Sequence, residues 1–446
     1  MHKQLELESD QYSKDPILGC ALEGVASVVA GIKDVSIIIH SPQGCASTVR
    51  ASYDAHEIDF TKRKIGCTRL FEADIILGAT KKLNEMILEA DKTFNTNVTF
   101  VVGTCSADII GEDIEAICKE MQPRVASKLI PILAGGFRGN SYSGIDLGLN
   151  ALFPFIKKTP LKKSNTVNII APQANLNPTW WSDLKWVENV LDKLGVAVQT
   201  VFSHNTSFID IESAGTATAN ILLSNDAGYA FAKRMEDIHG IPLILSNIPM
   251  PIGIQNTNRW IRALGSYFGA EEMAEKLIKY GEEEVISILR KRALMIIPRY
   301  RNCQIALSSD ATIGIGMLRM LFEELEMIPE LLLFKSDAKE AKELLAKELL
   351  EMEISPKVVF DIDGYQIKKD LSDVDVDVLI GSAWEKYIAE ELKIKISFDV
   401  LSPTNRETYL DKQYFGYNGM LNLLEIFATD WEKAFRSKKM NLELKM

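Results

Sequence analysis

The feature that most constrains the fold of this chain is a regular alternation of short β-rich apolar segments with longer amphipathic ones. Helices are predicted between the strands, for example over Ile114–Met121, Trp180–Leu194 and Glu340–Met352. Strands that alternate with helices form βαβ units and parallel sheets. We therefore predict an α/β fold with parallel sheets, whose strands include Val35–Ile39, Val98–Val102, Leu129–Leu133, Val167–Ile170, Ala197–Phe202, Ile221–Ser224, Leu243–Leu245, Gln304–Ser308, Glu330–Phe334, Val358–Asp361 and Val378–Ile380.

The length of the chain implies several domains. A chain of 446 residues exceeds what one hydrophobic core usually organises, and so many strands are not expected in one sheet. Two polar segments, Lys157–Ser164 and Arg290–Asn302, separate groups of strands. We predict three Rossmann-like domains: an N-terminal domain over 1–160, a second over 161–292, and a third over 293–446 with a C-terminal helix.

Composition excludes several classes of function. The net charge of -11 disfavours a nucleic-acid-binding protein, because neutralising phosphates requires clustered Lys and Arg. Apolar runs such as Ala293–Ile297 and Leu331–Phe334 are far shorter than the ~18 residues of a membrane span. The first residues lack the apolar segment of a secretory signal. The expectation is a cytoplasmic protein that binds neither nucleic acid nor membrane.

Three cysteines are candidate ligands for a metal centre. Cys45 and Cys105 each follow a predicted buried strand, and Cys20 precedes the first of those strands. In parallel sheets, ligands bind beyond the carboxyl ends of the strands, where these thiols are expected to converge. The alternative is three buried structural thiols, since free cysteine is often buried. Their spacing is no recognised local metal motif, so the residues alone leave both interpretations open.

The other cysteines and two polar residues have weaker claims to a role in the site. Cys118 lies on the apolar face of a predicted helix and is expected in the core, and Cys303 begins a strand. Cys67 lies near the presumed edge, where an ordinary loop thiol is favoured over an extra ligand. His40 and Arg138 could surround the thiols, His40 by hydrogen bonding and Arg138 by facing an anionic group. For His40 the alternative is a satisfied histidine at a strand end.

Beyond these patterns, ordered motifs over nearly the whole chain resemble nitrogenase component 1 subunits. Glycine-rich and cysteine-containing segments carry the resemblance in the first third of the chain: Cys20 with Gly24, Gly31–Asp34, His40–Cys45, Glu72–Asp74 with Gly78, Thr104–Ile114 and Gly136–Gly139. Later segments that match are Pro251–Ile254 with Asn256–Thr257, Leu379–Ser382 and Phe415–Gly419. The resemblance implies the nitrogenase component 1 architecture.

The resemblance also implies a cofactor and partners. Cysteines matching Cys20, Cys45 and Cys105 hold an 8Fe-7S P-cluster, or a 4Fe-4S cluster, between two homologous subunits of that family. A cubane cluster takes four thiolates, so the remainder is expected from a partner or from a fourth group here. The partner would be a homologous subunit or a second copy of this chain. A separate ATP-dependent iron protein would supply electrons, because this chain contains no P-loop motif.

The sequence departs from the catalytic subunits of the family at the large iron–sulfur cofactor. The cysteine that holds that cofactor matches Met273, and its histidine falls near Gln413–Phe415, where no histidine occurs. The last histidine is His239. We therefore expect this chain not to bind the large cofactor in the usual way, as in β-like subunits or cofactor-assembly scaffold subunits.

Three functions remain as hypotheses. The first is a subunit of a nitrogenase-like oxidoreductase, whose interfacial cluster relays low-potential electrons to a cofactor or substrate. The second is a scaffold on which a metal cofactor is assembled. The third is a cluster-free binding or regulatory module that retains the fold, since fold alone does not specify function.

Overall fold

The computed structural model describes residues 7–9, 18–171, 177–406, 410 and 412–443. Its strands are β1 Leu7–Ser9, β2 Val35–His40, β3 Ile65–Cys67, β4 Val98–Gly103, β5 Lys128–Leu133, β6 Thr166–Ile170, β7 Ala197–Phe202, β8 Ala219–Leu222, β9 Leu243–Ile244, β10 Gln304–Ser309, β11 Ile328–Phe334, β12 Lys357–Phe360, β13 Val378–Ser382 and β14 Ile396–Leu401.

Helices connect these strands throughout the described chain. They are α1 Ala21–Ala30, α2 Gly44–Ala55, α3 Glu72–Leu77, α4 Thr80–Phe94, α5 Cys105–Ile110, α6 Ile114–Met121, α7 Ser141–Leu152, α8 Trp180–Lys193, α9 Phe208–Ser213, α10 Tyr229–His239, α11 Gly253–Phe268, α12 Glu271–Tyr300, α13 Ala311–Arg319, α14 Lys339–Glu351, α15 Gly364–Ser372, α16 Ala383–Leu392 and α17 Gly416–Glu443.

The chain divides into two compact units. The first unit comprises Leu18–Asn175 and Val198–Ile244, and the second comprises Met1–Ile17, Leu176–Ala197 and Leu245–Met446. The first unit contains a sheet of order β3-β2-β4-β5 and a sheet of order β7-β6-β8-β9. The second contains a sheet of order β1-β12-β11-β10-β13-β14.

The β3-β2-β4-β5 sheet is parallel throughout. Every residue of its two central strands, β2 and β4, is buried, as expected for parallel strands covered by helices on both faces. Helices α4 and α6 cover one face, where Leu83 and Ile117 pack against Ile38 and Val101. Because the strands are parallel, all four carboxyl ends meet at one edge, and this edge carries the candidate site.

On α1, which begins directly after Cys20, glycine allows close packing against α7. A Cβ atom on Gly24 would lie 2.0 Å from the carbonyl oxygen of Ser141, and one on Gly144 would lie 2.0 Å from that of Ala21. Any larger side chain at either position would force the helices apart. This close approach fixes where the chain enters α1, and therefore where it presents Cys20.

The N-terminus of α7 is capped by Asn140, whose side-chain oxygen accepts hydrogen bonds from the N–H groups of Tyr142 and Ser143 at 3.1 and 3.3 Å. We expect Asn140→Ala to lower the free energy of unfolding of the first unit by about 1 kcal/mol, because those N–H groups lose their acceptor. Asn140→Ser should retain most of the stability, since serine also caps. Urea unfolding followed by circular dichroism measures both, and equal losses in the two variants would contradict the capping explanation.

The second unit has the larger sheet. Strands β1, β12, β11, β10, β13 and β14 pair in parallel, and their core includes Leu331, Leu333 and Leu379. The chain runs outward from β10 through β11 to β12, and β13 then pairs on the other side of β10. This reversal of direction is characteristic of doubly wound α/β sheets.

These observations confirm the predicted α/β fold with parallel sheets. The predicted domain boundaries stay a prediction. Each of the three sheets is built from strands of one predicted segment, except that β1 of the first segment joins the third sheet. The predicted boundary at residue 292 falls within α12. In the described ranges, none of the helices has both the length and the apolar content needed to cross a bilayer.

Candidate functional site

The candidate site lies at the carboxyl edge of the β3-β2-β4-β5 sheet. Strands β2 and β4 end side by side, with His40 opposite Gly103. The Thr104 hydroxyl donates to the carbonyl oxygen of His40 at 2.9 Å and ties the two strand ends together. Cys45 lies in the first turn of α2, and Cys105 is the first residue of α5. The structure thus places both thiols just beyond neighbouring strand ends, as predicted.

Cys20 reaches the same edge from the N-terminal side. The turn after β5 brings it close to Cys105, because a Cβ atom on Gly136 would lie 3.3 Å from the Cys105 sulfur and 3.6 Å from the Cys20 Cβ. The Gly136 N–H donates a hydrogen bond to the Cys105 sulfur at 2.9 Å. Glycine at this position leaves the space between the two cysteines open.

The thiols influence one another electrostatically. Burial raises the pKa of Cys20, and negative charge on Glu23 and Cys105 raises it further, against two backbone hydrogen bonds that lower it. Burial also raises the pKa of Cys45, with further contributions from Cys20, Cys105 and Cys67 that oppose the Ser41 hydrogen bond. Burial and mutual repulsion thus disfavour the thiolate forms of Cys20 and Cys45 unless a positively charged group lies among them. The donor set therefore fits a cationic, sulfur-preferring group such as iron.

The thiols at the edge do not form a compact site for one metal ion. Within the described ranges, no three Cys, His, Asp or Glu side chains approach closely enough to hold one metal ion. A polynuclear group differs from a single ion in that its ligands bind different metal atoms and lie further apart.

Cys118 and Cys303 differ from the thiols at the edge. Cys118 is 3% exposed and packs in the core beneath α4, and burial raises its pKa to about 12. This confirms the predicted core position of Cys118. The Cys303 thiol donates to the carbonyl oxygen of Arg299 at 3.0 Å and lies in the second unit. Cys118 is therefore not placed to join the thiols at the edge.

Cys67, predicted near the edge, is the last residue of β3 and lies opposite Ile39 of β2. Its sulfur lies 3.7 Å from the carbonyl oxygen of Ser41 and 3.9 Å from that of Pro42. The structure therefore brings a fourth thiol under the turn that leads to Cys45.

His40 is fully buried, and its Nε2 forms a short contact with a carboxylate oxygen of Glu112. The other oxygen of Glu112 accepts from the Ala79 N–H at 2.6 Å and from the Thr80 hydroxyl at 3.1 Å. Burial lowers the pKa of His40, and Glu112 partly opposes this. The His40–Glu112 pair thus links the end of β2 to the start of α4.

Arg138, the third predicted surrounding residue, forms an ion pair with Asp108 of α5 at 3.0 Å. Arg138 comes two residues after Gly136, and Asp108 comes three residues after Cys105. The ion pair therefore lies beside the hydrogen bond between Gly136 and Cys105. It fastens the turn after β5 to α5. The predicted contact of Arg138 with an anionic group stays a prediction.

Sequence patterns do not reveal two of these contacts. Glu112 lies between α5 and α6, and its partner His40 lies 72 positions away. The hydrogen bond from Gly136 to Cys105 is donated by a backbone N–H group, which every residue except proline has, so the residue type does not indicate it. The Gly136–Gly139 motif indicates a tight turn, but it does not indicate that an N–H group of this turn donates to a sulfur atom.

The positions matched to ligands of the large cofactor have other surroundings. Met273, in the first turn of α12, is 43% exposed. Tyr414 and Phe415 are buried, and their N–H groups donate to Asp183 at 2.7 and 2.9 Å. Burial raises the pKa of Asp183 to about 6 against these hydrogen bonds. The Tyr414 hydroxyl donates to the carbonyl oxygen of Val400 at 2.6 Å.

The fold and the edge together define an α/β protein with parallel sheets and a thiol-rich candidate metal site. The family model described as nitrogenase component 1 type oxidoreductase matches residues 20–432. The chain therefore belongs to this family, as the sequence motifs predicted.

Known proteins similar to this chain have different roles within that family. The chain is 26% identical to the nitrogenase iron-molybdenum cofactor biosynthesis protein NifE of Nostoc sp., over 93% of this chain and 84% of the relative. It is 25% identical to the nitrogenase molybdenum-iron protein alpha chain of Methanothermobacter marburgensis, over 91% and 85%. With the nitrogenase vanadium-iron protein beta chain of Trichormus variabilis it shares 24% identity over 91% of each.

A solved structure shows the same fold. "Nitrogenase Cp1 at pH 6.5" superposes with a TM-score of 0.79 at 18% identity, over 96% of this chain and 95% of that one. This confirms the predicted nitrogenase component 1 architecture. The similar identities to biosynthetic and catalytic relatives do not distinguish between these roles.

Proposed function

We propose that this chain is a subunit of a nitrogenase-like oxidoreductase complex that holds an iron–sulfur cluster through Cys20, Cys45 and Cys105 and relays low-potential electrons. The observation that carries the proposal is that Cys20 and Cys105 meet at Gly136, while Cys45 lies just beyond the neighbouring strand end at the same sheet edge. Bound there, a cluster of the 4Fe-4S or 8Fe-7S type would accept and pass on single electrons.

The residues of this chain would position and tune such a group. The three cysteines would supply thiolate ligands, each held by the first turn or the cap of a helix. The Gly136 N–H would withdraw charge from the Cys105 sulfur, which favours the reduced state of a bound cluster. The His40–Glu112 pair would hold the turn after β2 in place. In this role His40 acts on the structure and not as a ligand.

Exposed apolar residues near the thiols indicate an interface with a partner subunit. Ile76, Leu77, Ile109 and Phe137, which we call the apolar rim, are 79%, 84%, 67% and 75% exposed. Ile109 lies on the same short helix as Cys105, and Phe137 follows Gly136. Exposed apolar side chains grouped in this way are typical of protein interfaces. A homologous subunit or a second copy of this chain would cover the rim, and an ATP-dependent iron protein would deliver electrons.

A cofactor-assembly scaffold is the second candidate. The NifE relative at 26% identity favours it, as do the noncoordinating Met273 and the hydrogen-bonded Tyr414 at the positions matched to cofactor ligands. A scaffold would use the same thiols to hold its permanent cluster. The two roles therefore share a cluster and differ in whether electrons or a metal cofactor are passed on.

Iron analysis and EPR of anaerobically purified, dithionite-reduced protein test the cluster. We expect stoichiometric iron in the wild type and in Cys118→Ala, whose thiol is in the core, and loss of most iron in Cys45→Ala. A folded wild type without iron would overturn the proposal and leave the cluster-free module. A Cys45→Ala protein with the wild-type iron content would overturn the proposed ligand set.

Reduction kinetics separate relay from scaffold. An electron relay predicts that the cluster is reduced by an iron protein with ATP, but not by the iron protein alone. A scaffold predicts that the chain binds additional metal cofactor and transfers it to a cofactor-free catalytic subunit. Transfer without ATP-dependent reduction would replace the relay by the scaffold.

A further inference from the structure

We infer that Cys67 supplies a fourth thiolate, so that a cubane cluster at this edge would be held entirely by one chain. The inference rests on the proposed function and concerns its ligand set. Three cysteines leave one position of a cubane open. Sequence patterns favour a loop thiol at Cys67, but its position in the fold indicates a ligand.

The first argument is the order of the strands. Cys67 closes β3, Cys45 follows β2, and Cys105 follows β4, and these three strands are adjacent in the sheet. Neighbouring parallel strands lie about 4.8 Å apart. The three thiols are therefore presented side by side along the same edge.

The second argument is the position of the Cys67 sulfur beneath the turn before Cys45. The Ser41 hydroxyl, four residues before Cys45, lies 3.8 Å from this sulfur and donates to the carbonyl oxygen of Pro42 at 2.8 Å. Backbone hydrogen bonds from Thr68 to Ile39 and from Leu70 to Ser41, at 3.1 and 3.0 Å, hold the two segments together. Cys67 is thus tied to the turn that leads into Cys45.

The third argument is that Cys67 does not belong to the core. A Cβ atom on Gly66 would contact Met86 and Ile38 at 3.2 and 3.5 Å, on the α4 face of the sheet. Because side chains alternate along a strand, Cys67 points to the opposite face. There it is half-buried, unlike Cys118. Core packing therefore does not explain a thiol at this position.

The test compares Cys67→Ala with Cys303→Ala, a matched half-buried thiol in the other unit. In the isolated chain we expect Cys303→Ala to keep the wild-type iron content and EPR spectrum. Cys67→Ala should lose iron and, after mild oxidation, show the EPR signal of a three-iron cluster. Wild-type iron and spectrum in Cys67→Ala would overturn the inference while leaving the three-cysteine proposal intact. An iron-free wild type would overturn both.

Alkylation of the wild type gives a second test that needs no variant. Iodoacetamide is applied with the cluster in place and again after chelation, and the modified peptides are identified by mass spectrometry. We expect Cys67 to be protected only while the cluster is bound, and Cys303 to be labelled equally in both states. Labelling of Cys67 in the cluster-loaded protein would contradict its role as a ligand.

Discussion

Replacing Glu385 with alanine is expected to lower the free energy of unfolding of the second unit by about 3 to 5 kcal/mol. Glu385 is fully buried and accepts from Lys335 at 2.9 Å and from the Ser308 hydroxyl at 3.0 Å. Ser382 donates to it through both its N–H and its hydroxyl. Burial alone would raise the pKa of Glu385, but Lys335 and Ser382 hold it below its usual range.

The loss is large because alanine would leave the Lys335 ammonium buried without its counter-charge. All six tryptophans of the chain lie in the second unit, so tryptophan fluorescence during urea unfolding reports on this unit. Lys335→Met combined with Glu385→Gln should regain most of the stability, since it removes both charges. The exposed Glu343→Ala should change it by less than about 0.5 kcal/mol. An equal loss in the single and double variants would contradict the ion-pair explanation.

Acid should destabilise the first unit through His56. This side chain is buried, and burial together with the nearby His204 lowers its pKa to about 3. In the unfolded chain its pKa is about 6.5. Below that pH the unfolded chain binds a proton that the folded chain does not, so stability falls as the pH is lowered from about 6.5 toward 3. Between pH 7 and pH 5 the expected loss is about 2 kcal/mol.

His56→Gln cannot be protonated and should flatten the pH dependence by this amount. Urea unfolding followed by circular dichroism at pH 7 and pH 5 measures it. Asp59→Asn is the control: Asp59 lies on the exposed surface nearby, and its lowered pKa places its titration below this range. Burial also lowers the pKa of His40 and His239, so some acid sensitivity should persist. A His56→Gln variant with the wild-type slope would contradict the prediction.

Much of the fold could be predicted because periodicity is a local property. Segments such as Val98–Val102 and Ile114–Met121 carry the apolar pattern of a buried strand and of an amphipathic helix, and both form where predicted. The positions of Cys45 and Cys105 beyond strand ends could be predicted from the same patterns. Ligation by these thiols stays a prediction.

The contacts that shape the candidate site could not be predicted in this way. His40 meets Glu112 across 72 positions, and Asp183 meets Tyr414 across 231. Each pair depends on how distant segments pack, and neither residue type specifies its partner. The place of Cys67 likewise emerges only from the pairing of β3 with β2.

The amino-acid sequence by itself determined the alternation of strands and helices, the parallel sheets and the family, because these are encoded in local apolar patterns and short ordered motifs. Only the tertiary structure decided which thiols share an edge, that Gly136 donates to Cys105, and that His40 is bound by Glu112. The physical reason is that strand order and helix packing bring distant residues together, and a linear pattern does not record those contacts.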